Sequence, residues 1–199
     1  MIKIELEKPS KPMIYFKSYY EEAVKNDEKY PEACAISSIC MKYNKVDSRY
    51  VNIKYVYDNE FIFFSNYQSP KAAQFVANNS VSLLFFWPTI YAQIRIKGRI
   101  KKTAALFSDN HFNKRDASKN IIAIVSSQSK KIDSYESLIK KFNQYKSSNL
   151  ISERPDYWGG YSVEPDYFEF WRGHESRINK REVFKLNESR NWDSLILQP

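Results

Sequence analysis

The chain has 199 residues, a formal net charge of +8 and an aromatic share of 16%. That is enough for one domain with a substantial core, and its wealth of Tyr and Phe favours strands over a helical bundle. Its four glycines, Gly98, Gly159, Gly160 and Gly173, exclude both a Walker loop and a G-x-G-x-x-G fingerprint, so a phosphorylated ligand would have to be held by cationic side chains and a helix end. Two histidines and two cysteines show no zinc-ligand spacing, and no metal site is expected. Without a signal peptide or a long apolar run, the sequence predicts a soluble, cytoplasmic protein with no membrane partner. The positive charge fits anion binding, RNA binding or simple solubility alike.

In chain order, residues 1–11 read as a flexible arm, and Pro12 to Asn26 as a helix with Tyr15, Phe16, Tyr19 and Ala23 at helical spacing. Strand character follows in "ACAISSICM" (33–41), "SRYVNIKYVY" (48–57) and "EFIFFSN" (60–66). Asp58-Asn59 between the last two suits a tight hairpin. Cys34 and Cys40 lie well apart along one strand, which argues against a mutual disulfide. Ser69 is a good N-cap, Pro70 suits the first helical position, and Lys71 falls in the first turn. "VSLLFFW" (81–87) has the continuous apolar character of a strand buried on both faces. "YAQIRIKGRIKK" (91–102) alternates instead, with Gln93, Arg95 and Lys97 opposite Ile94, Ile96 and Ile100. Helices are predicted over 104–114 and 117–126, and a third from Asp133, where Asp133 and Glu136 stand at capping-box spacing. "SQSKKIDS" reads as a linker. Strand character returns from Tyr157 in "YSVEPDYFEFW", "REVFKL" and "DSLILQ", and no internal repeat is visible. Strands in mostly sequential antiparallel order with helices between them give a single domain over 1–199, mainly β with α insertions, closing as a small barrel.

The stretch "EFWRGHESRINKR" (169–181) brings Trp171, Arg177 and Arg181 close together. On a strand, Arg177, Asn179 and Arg181 would share a face; on a helix, the two arginines would lie one turn apart. Alone, the segment fits a solvated basic face as well as an anion site with an aromatic wall. Arg49 and Lys54 point to opposite faces of a regular strand. Lys71 sits where free backbone N–H groups and the helix dipole favour a phosphate. Read singly, Lys71, Gln93 and the pair Gln128-Ser129 each also fit an ordinary solvated or capping role.

In order and spacing, "SRYVNIKY", "FIFFSNYQSPKAAQFVANNSVSLLFFW", "AQIRIKGRIKK", "SSQS", "WGGYSVEPDYFEFWRG" and "RINKR" resemble the signature blocks of the pyridoxine/pyridoxamine 5′-phosphate oxidase family. The resemblance covers nearly the whole chain. It implies an FMN-binding split β-barrel, homodimeric, with FMN at the subunit interface and residues 157–199 completing the site. The cofactor-binding residues it implies are Arg49, Tyr50, Val51, Asn52, Ile53, Lys54, Phe64, Ser65, Lys71 and Gln93. Gln128, Ser129, Trp171 and Arg181 would come from the partner subunit. It also implies a substrate site of Lys54, His111, Arg115 and Lys119, with Arg177 and Asn179 as catalytic residues on the reacting face.

Several positions depart from the family pattern. His111 replaces a Tyr, Lys119 replaces a Ser, Pro70 replaces an Arg, and Arg177-Ile178-Asn179-Lys180-Arg181 stands where R-L-H-[DE]-R is usual. Asn179 in place of an imidazole removes a group able to titrate near neutral pH. The basic arm that closes over the site in relatives is not expected here. The resemblance implies an FMN-dependent oxidase that converts pyridoxamine or pyridoxine 5′-phosphate to pyridoxal 5′-phosphate, with dioxygen as acceptor and hydrogen peroxide as product. A second reading keeps the flavin and changes the ring substrate to another phosphorylated or phenazine-like compound. A third is a non-catalytic flavin- or nucleic-acid-binding protein.

Overall fold

The computed structural model describes residues 1–148 and 153–199. Its longest strand, β8 (Trp158–Arg172), organises the sheet around itself. The first half of β8 pairs with β5 (Glu60–Asn66), and its second half with β9 (Lys180–Leu186). Along its other edge runs β7 (Ala92–Lys102), which continues to β6 (Ser80–Trp87), β2 (Ala33–Cys40) and β3 (Lys45–Asn52). On the far side of β5 lie β4 (Tyr55–Tyr57) and β1 (Lys3–Glu5), and β10 (Trp192–Leu197) closes against β9. Apart from β1 against β4, every pairing is antiparallel, and the whole is a split β-barrel.

The β7–β8 ladder carries a local irregularity. Between Lys97 and Gly98 the β7–β8 register shifts, so that Lys97 faces Tyr167 but Gly98 faces Pro165. Pro165 has no N–H to give a ladder and is tolerated at such a bulge. Opposite it only glycine fits, since a Cβ on Gly98 would stand 2.1 Å from the Glu164 carbonyl oxygen. Beyond this kink β8 leaves β5 and takes β9 as its neighbour.

The barrel interior holds Phe61, Phe63, Phe85, Phe168 and Phe170, all essentially inaccessible. Helix α1 (Lys11–Lys25) plugs it with Met13, Phe16, Tyr20 and Ala23. Phe16 meets Phe61 edge-on at 4.8 Å, and Phe85 at 5.3 Å. Three shorter helices follow β7: α3 (Ala105–Lys114), α4 (Ala117–Val125) and α5 (Tyr135–Ser147). Helix α2 (Pro70–Ala77) lies between β5 and β6. No described helix is long and apolar enough to cross a membrane.

Several sequence expectations need correction. The segment read as a flexible arm contains β1, and Ile2 is buried with its N–H donating to the Tyr20 hydroxyl at 2.6 Å. The run 48–57 is broken, because Ile53 and Lys54 leave the β3 ladder before β4 begins. "VSLLFFW" is buried on one face only: Leu84 and Phe86 are 37% and 52% exposed. The cap of α5 is Ser134, which accepts from the Ser137 N–H, and not Asp133. At α2, Ser69 occupies the cap position, but its hydroxyl donates back to the Asn66 carbonyl and does not cap the helix. The Asp58-Asn59 link does form the expected tight hairpin, with φ of 46° and 67°. Cys34 and Cys40 are free thiols.

Replacing Gly98 with Ala forces the β7–β8 bulge apart and is expected to destabilise the fold by about 2 kcal/mol or more. Thermal denaturation of Gly98→Ala beside the parent chain measures it; an unchanged melting temperature would show that the kink can relax freely.

Candidate active site

At the Trp158 end of β8, a cavity of about 520 Å³ opens between the β3–β5 end of the sheet and helices α3 and α4. Phe64 and Ser65 reach it from β5, Lys71 from the first turn of α2, and Lys54 from the gap between β3 and β4. His111 comes from α3, Arg115 from the cap of that helix, and Lys119 from α4, with Asp116 between them. Tyr50, Val51, Asn52, Gln128 and Trp158 complete the lining.

The chemistry of this lining is cationic and underpaired. Lys71 is 9% exposed and donates to the Ser65 hydroxyl at 3.0 Å and the Ser69 hydroxyl at 3.4 Å, both neutral acceptors. Burial, and then the nearby Arg49, lower its ammonium pKa. Burial likewise lowers Lys54, opposed by Glu32 and reinforced by Lys119 and Arg115. Burial lowers Arg115 too, and its Nη1 has no hydrogen-bond partner among the described residues although it is inaccessible. Partly desolvated cations with like charges nearby are stabilised by an anion placed among them.

Flat rings form the opposing wall. Phe64 stacks on His111 at 3.7 Å with an 8° interplanar angle, and on Trp158 at 5.2 Å. The Arg115 guanidinium lies over Trp158 at 4.6 Å. The Tyr55 hydroxyl and His111 Nδ1 are hydrogen-bonded at 2.9 Å. Burial, Arg115 and Lys54 push the His111 pKa down to about 4, so the imidazole is neutral near pH 7.

Not every expected site residue lines this cavity. Arg49 turns away from it, donating to the Ser38 hydroxyl at 2.7 Å and to Gln74 Oε1 at 3.1 Å. Ile53 is wholly buried in the core. Gln128, expected from a partner subunit, lines this chain's own cavity, while its neighbour Ser129 takes a left-handed turn with φ of 65°. Gln93, Trp171 and Arg181 lie in a row outside the cavity, directly opposite one another across β7, β8 and β9. The expected strand face of Arg177, Asn179 and Arg181 does not exist. β9 begins only at Lys180, and Arg177 has φ of 58°, so Arg177 and Asn179 stand in a loop. There the Asn179 side-chain Oδ1 accepts from the His174 backbone N–H at 3.0 Å.

Trp158, Tyr55 and Gln74 were missed. Trp158 sat in the most distinctive sequence block, and an indole beside two glycines was its only signal. Tyr55 acts by fixing His111, and Gln74 by joining Arg49 to Ser38 and Asp47, contacts that no local pattern encodes.

A split barrel with a cationic, aromatic-walled cavity is the architecture of a flavin-dependent oxidoreductase. The comparisons agree. Residues 20–148 match the pyridoxamine 5′-phosphate oxidase family, and residues 158–199 match the pyridoxine 5′-phosphate oxidase C-terminal dimerisation region. A pyridoxine/pyridoxamine 5′-phosphate oxidase from Leptospira interrogans is 34% identical over 194 residues, covering 96% of this chain and 89% of the relative. One from Rhodopirellula baltica is 36% identical over 197 residues, covering 96% and 88%. Among solved structures, PhzG from Burkholderia lata 383, in complex with tetrahydrophenazine-1-carboxylic acid, superposes with a TM-score of 0.90 at 23% identity, covering 97% of this chain and 95% of that one. A pyridoxamine 5′-phosphate oxidase-related, FMN-binding protein from Nostoc punctiforme gives 0.77 at 11% identity, covering 92% and 97%. The chain belongs to the pyridoxine/pyridoxamine 5′-phosphate oxidase family.

The His111 shift makes a pH prediction. Its folded pKa lies below the ordinary 6.5, so between pH 6.5 and about 4 the unfolded chain binds more protons and stability falls as pH falls. His111→Phe retains the stack on Phe64 and removes the titration. The melting temperature of this variant should drop less than the parent's over that interval; parallel curves would show that His111 is not held neutral.

Proposed function

We propose that the protein is an FMN-dependent oxidase of pyridoxamine or pyridoxine 5′-phosphate, working as a homodimer. The observation that carries this reading is the set of cations around one cavity, buried Lys71 with half-buried Lys54 and Arg115, with an inaccessible Arg115 nitrogen that has no partner among the described residues. That donor set fits phosphorylated ligands, and the Phe64 and Trp158 rings fit flat ones.

Lys71, Ser65 and the N-terminus of α2 would hold the FMN phosphate, with Arg49 supporting them through Gln74. Arg115, Lys54 and Lys119 would hold the substrate phosphate. Neutral His111, tied to Tyr55, offers its second ring nitrogen at the cavity wall. The row Gln93–Trp171–Arg181 continues directly into exposed Phe86 of β6, and the neighbouring row joins Tyr50, Ala35, Leu84 and Arg95. This half-apolar face suits a second copy of the chain, which would bring Trp171, Arg181, Arg177 and Asn179 to its partner's cavity. When bound, FMN supplies two-electron acceptance from the C4′ carbon of the substrate, and dioxygen takes those electrons to give hydrogen peroxide. The residues orient the reacting ring and exclude water; Arg177 would face it from the loop.

The Asn179 side-chain Oδ1 is committed to the His174 backbone N–H, and an amide here offers no titratable group. That favours a second reading, in which the same phosphate clamp serves a different ring substrate.

The test is to load the purified protein with FMN, add pyridoxamine 5′-phosphate in air and follow peroxide. Turnover is expected, and Arg115→Ala should raise KM by about tenfold to a hundredfold, the loss of a charge-assisted phosphate contact. Bound FMN without turnover would rule out the first substrate and support the second reading.

A further inference from the structure

One buried charge has no part in that chemistry. Glu169 is 3% exposed in the middle of the second half of β8. Its Oε1 accepts from Arg181 Nε at 2.9 Å and Nη2 at 2.8 Å. Its Oε2 accepts from the Tyr167 hydroxyl at 2.9 Å and from Arg95 Nη2. Both oxygens are thus occupied by protein donors, and Glu169 has little left to offer a ligand. Burial alone would raise its pKa, but the hydrogen bonds from Arg181, Arg95 and Tyr167 outweigh that and hold the carboxyl ionised. A carboxylate buried so deeply is costly unless its partners need it in place.

What it controls is the orientation of Arg181. That guanidinium carries five N–H donors. Two go to Glu169 and one, on Nη1, goes to the Gln198 carbonyl oxygen at 3.1 Å. The two that remain are one on each terminal nitrogen, without a partner among the described residues; Trp171 is the residue directly across the ladder. With Arg95 on the same carboxylate, the cluster keeps one net positive charge.

We infer that Glu169 is a positioning residue: it grips the Nε–Nη2 edge of the Arg181 guanidinium and so presents the remaining terminal N–H groups to the flavin. This rests on the proposed assignment of Arg181 to FMN. A neutral amide at 169 could accept a hydrogen bond, but it would lose the charge that holds two guanidiniums together and could turn its own NH₂ against them.

A double-mutant cycle on the full-length protein tests it, reading FMN affinity by quenching of flavin fluorescence well below the melting temperature. Glu169→Gln should weaken FMN binding about tenfold, and Arg181→Gln at least as much. Because Glu169 acts through Arg181, the double variant should bind no more weakly than Arg181→Gln alone. An unchanged dissociation constant in Glu169→Gln would overturn the inference, as would its full factor persisting when Arg181 is already gone. Should Glu169→Gln fail to fold, Glu169→Asp keeps the charge one methylene short and carries the same cycle, with the same two outcomes deciding. A parent protein that binds no FMN overturns the functional reading together with this one, and is told apart because the parent itself fails.

Discussion

The frame of this molecule is β8, whose two halves, on either side of the Gly98–Pro165 bulge, pair with different strands on one edge. Before the bulge, β8 pairs with β5 and contributes Trp158 to the cavity. After it, β8 pairs with β9 and sets Trp171 opposite Arg181. Strand β7 stays paired with both halves across the bulge, where Gly98 admits the close approach of Glu164 by lacking a Cβ. On the other edge, β5 runs out at its Asp58-Asn59 hairpin and β9 takes its place.

On that frame the chain assembles a cationic cavity without any glycine-rich loop. Its cations come from a strand gap, a helix tip and a helix end, so backbone amides contribute only at α2. Burial disfavours the charge on Lys54, Lys71 and Arg115, Arg49 opposes Lys71 and Lys119 and Arg115 oppose Lys54, and the neutral Ser65 and Ser69 leave Lys71 largely uncompensated. A phosphate offsets these effects, and this is the physical basis for expecting tight binding of a phosphorylated cofactor. The other face follows the opposite logic: Glu169 neutralises part of the charge of Arg95 and Arg181 and fixes their geometry internally.

Much of the architecture was legible in the sequence because it is written in short-range patterns. The Asp58-Asn59 hairpin, the alternating β7 and the Pro70 helix start all follow from residues adjacent in the chain. Misreadings arose where long-range pairing decides. Residues 1–11 carry no strand signal strong enough to foresee β1, which exists because β4 offers it an edge. Phe86 reads as core by composition but faces outward, since only its neighbours in register reveal which side of β6 the barrel covers. Arg177 and Asn179 alternate with Arg181 as on a strand, yet the turn that places Arg177 at φ 58° precedes β9. Within the cavity, the family resemblance pointed to most of the lining, including Lys54, Phe64, Lys71, His111, Arg115 and Lys119. It could not show that Arg49 engages Ser38 and Gln74, or that Gln128 lines the cavity of its own chain.

The decisive observable is how much a cofactor's phosphate matters to a protein that has no phosphate loop. Titrating the flavin-free protein with FMN and, separately, with riboflavin isolates that contribution, because the two ligands share the ring and the ribityl chain. Lysine and helix-tip contacts of the kind described require FMN to bind at least about a hundredfold more tightly, with the advantage shrinking as salt rises. Equal affinity for both flavins would mean that the buried cations grip something other than the cofactor's phosphate.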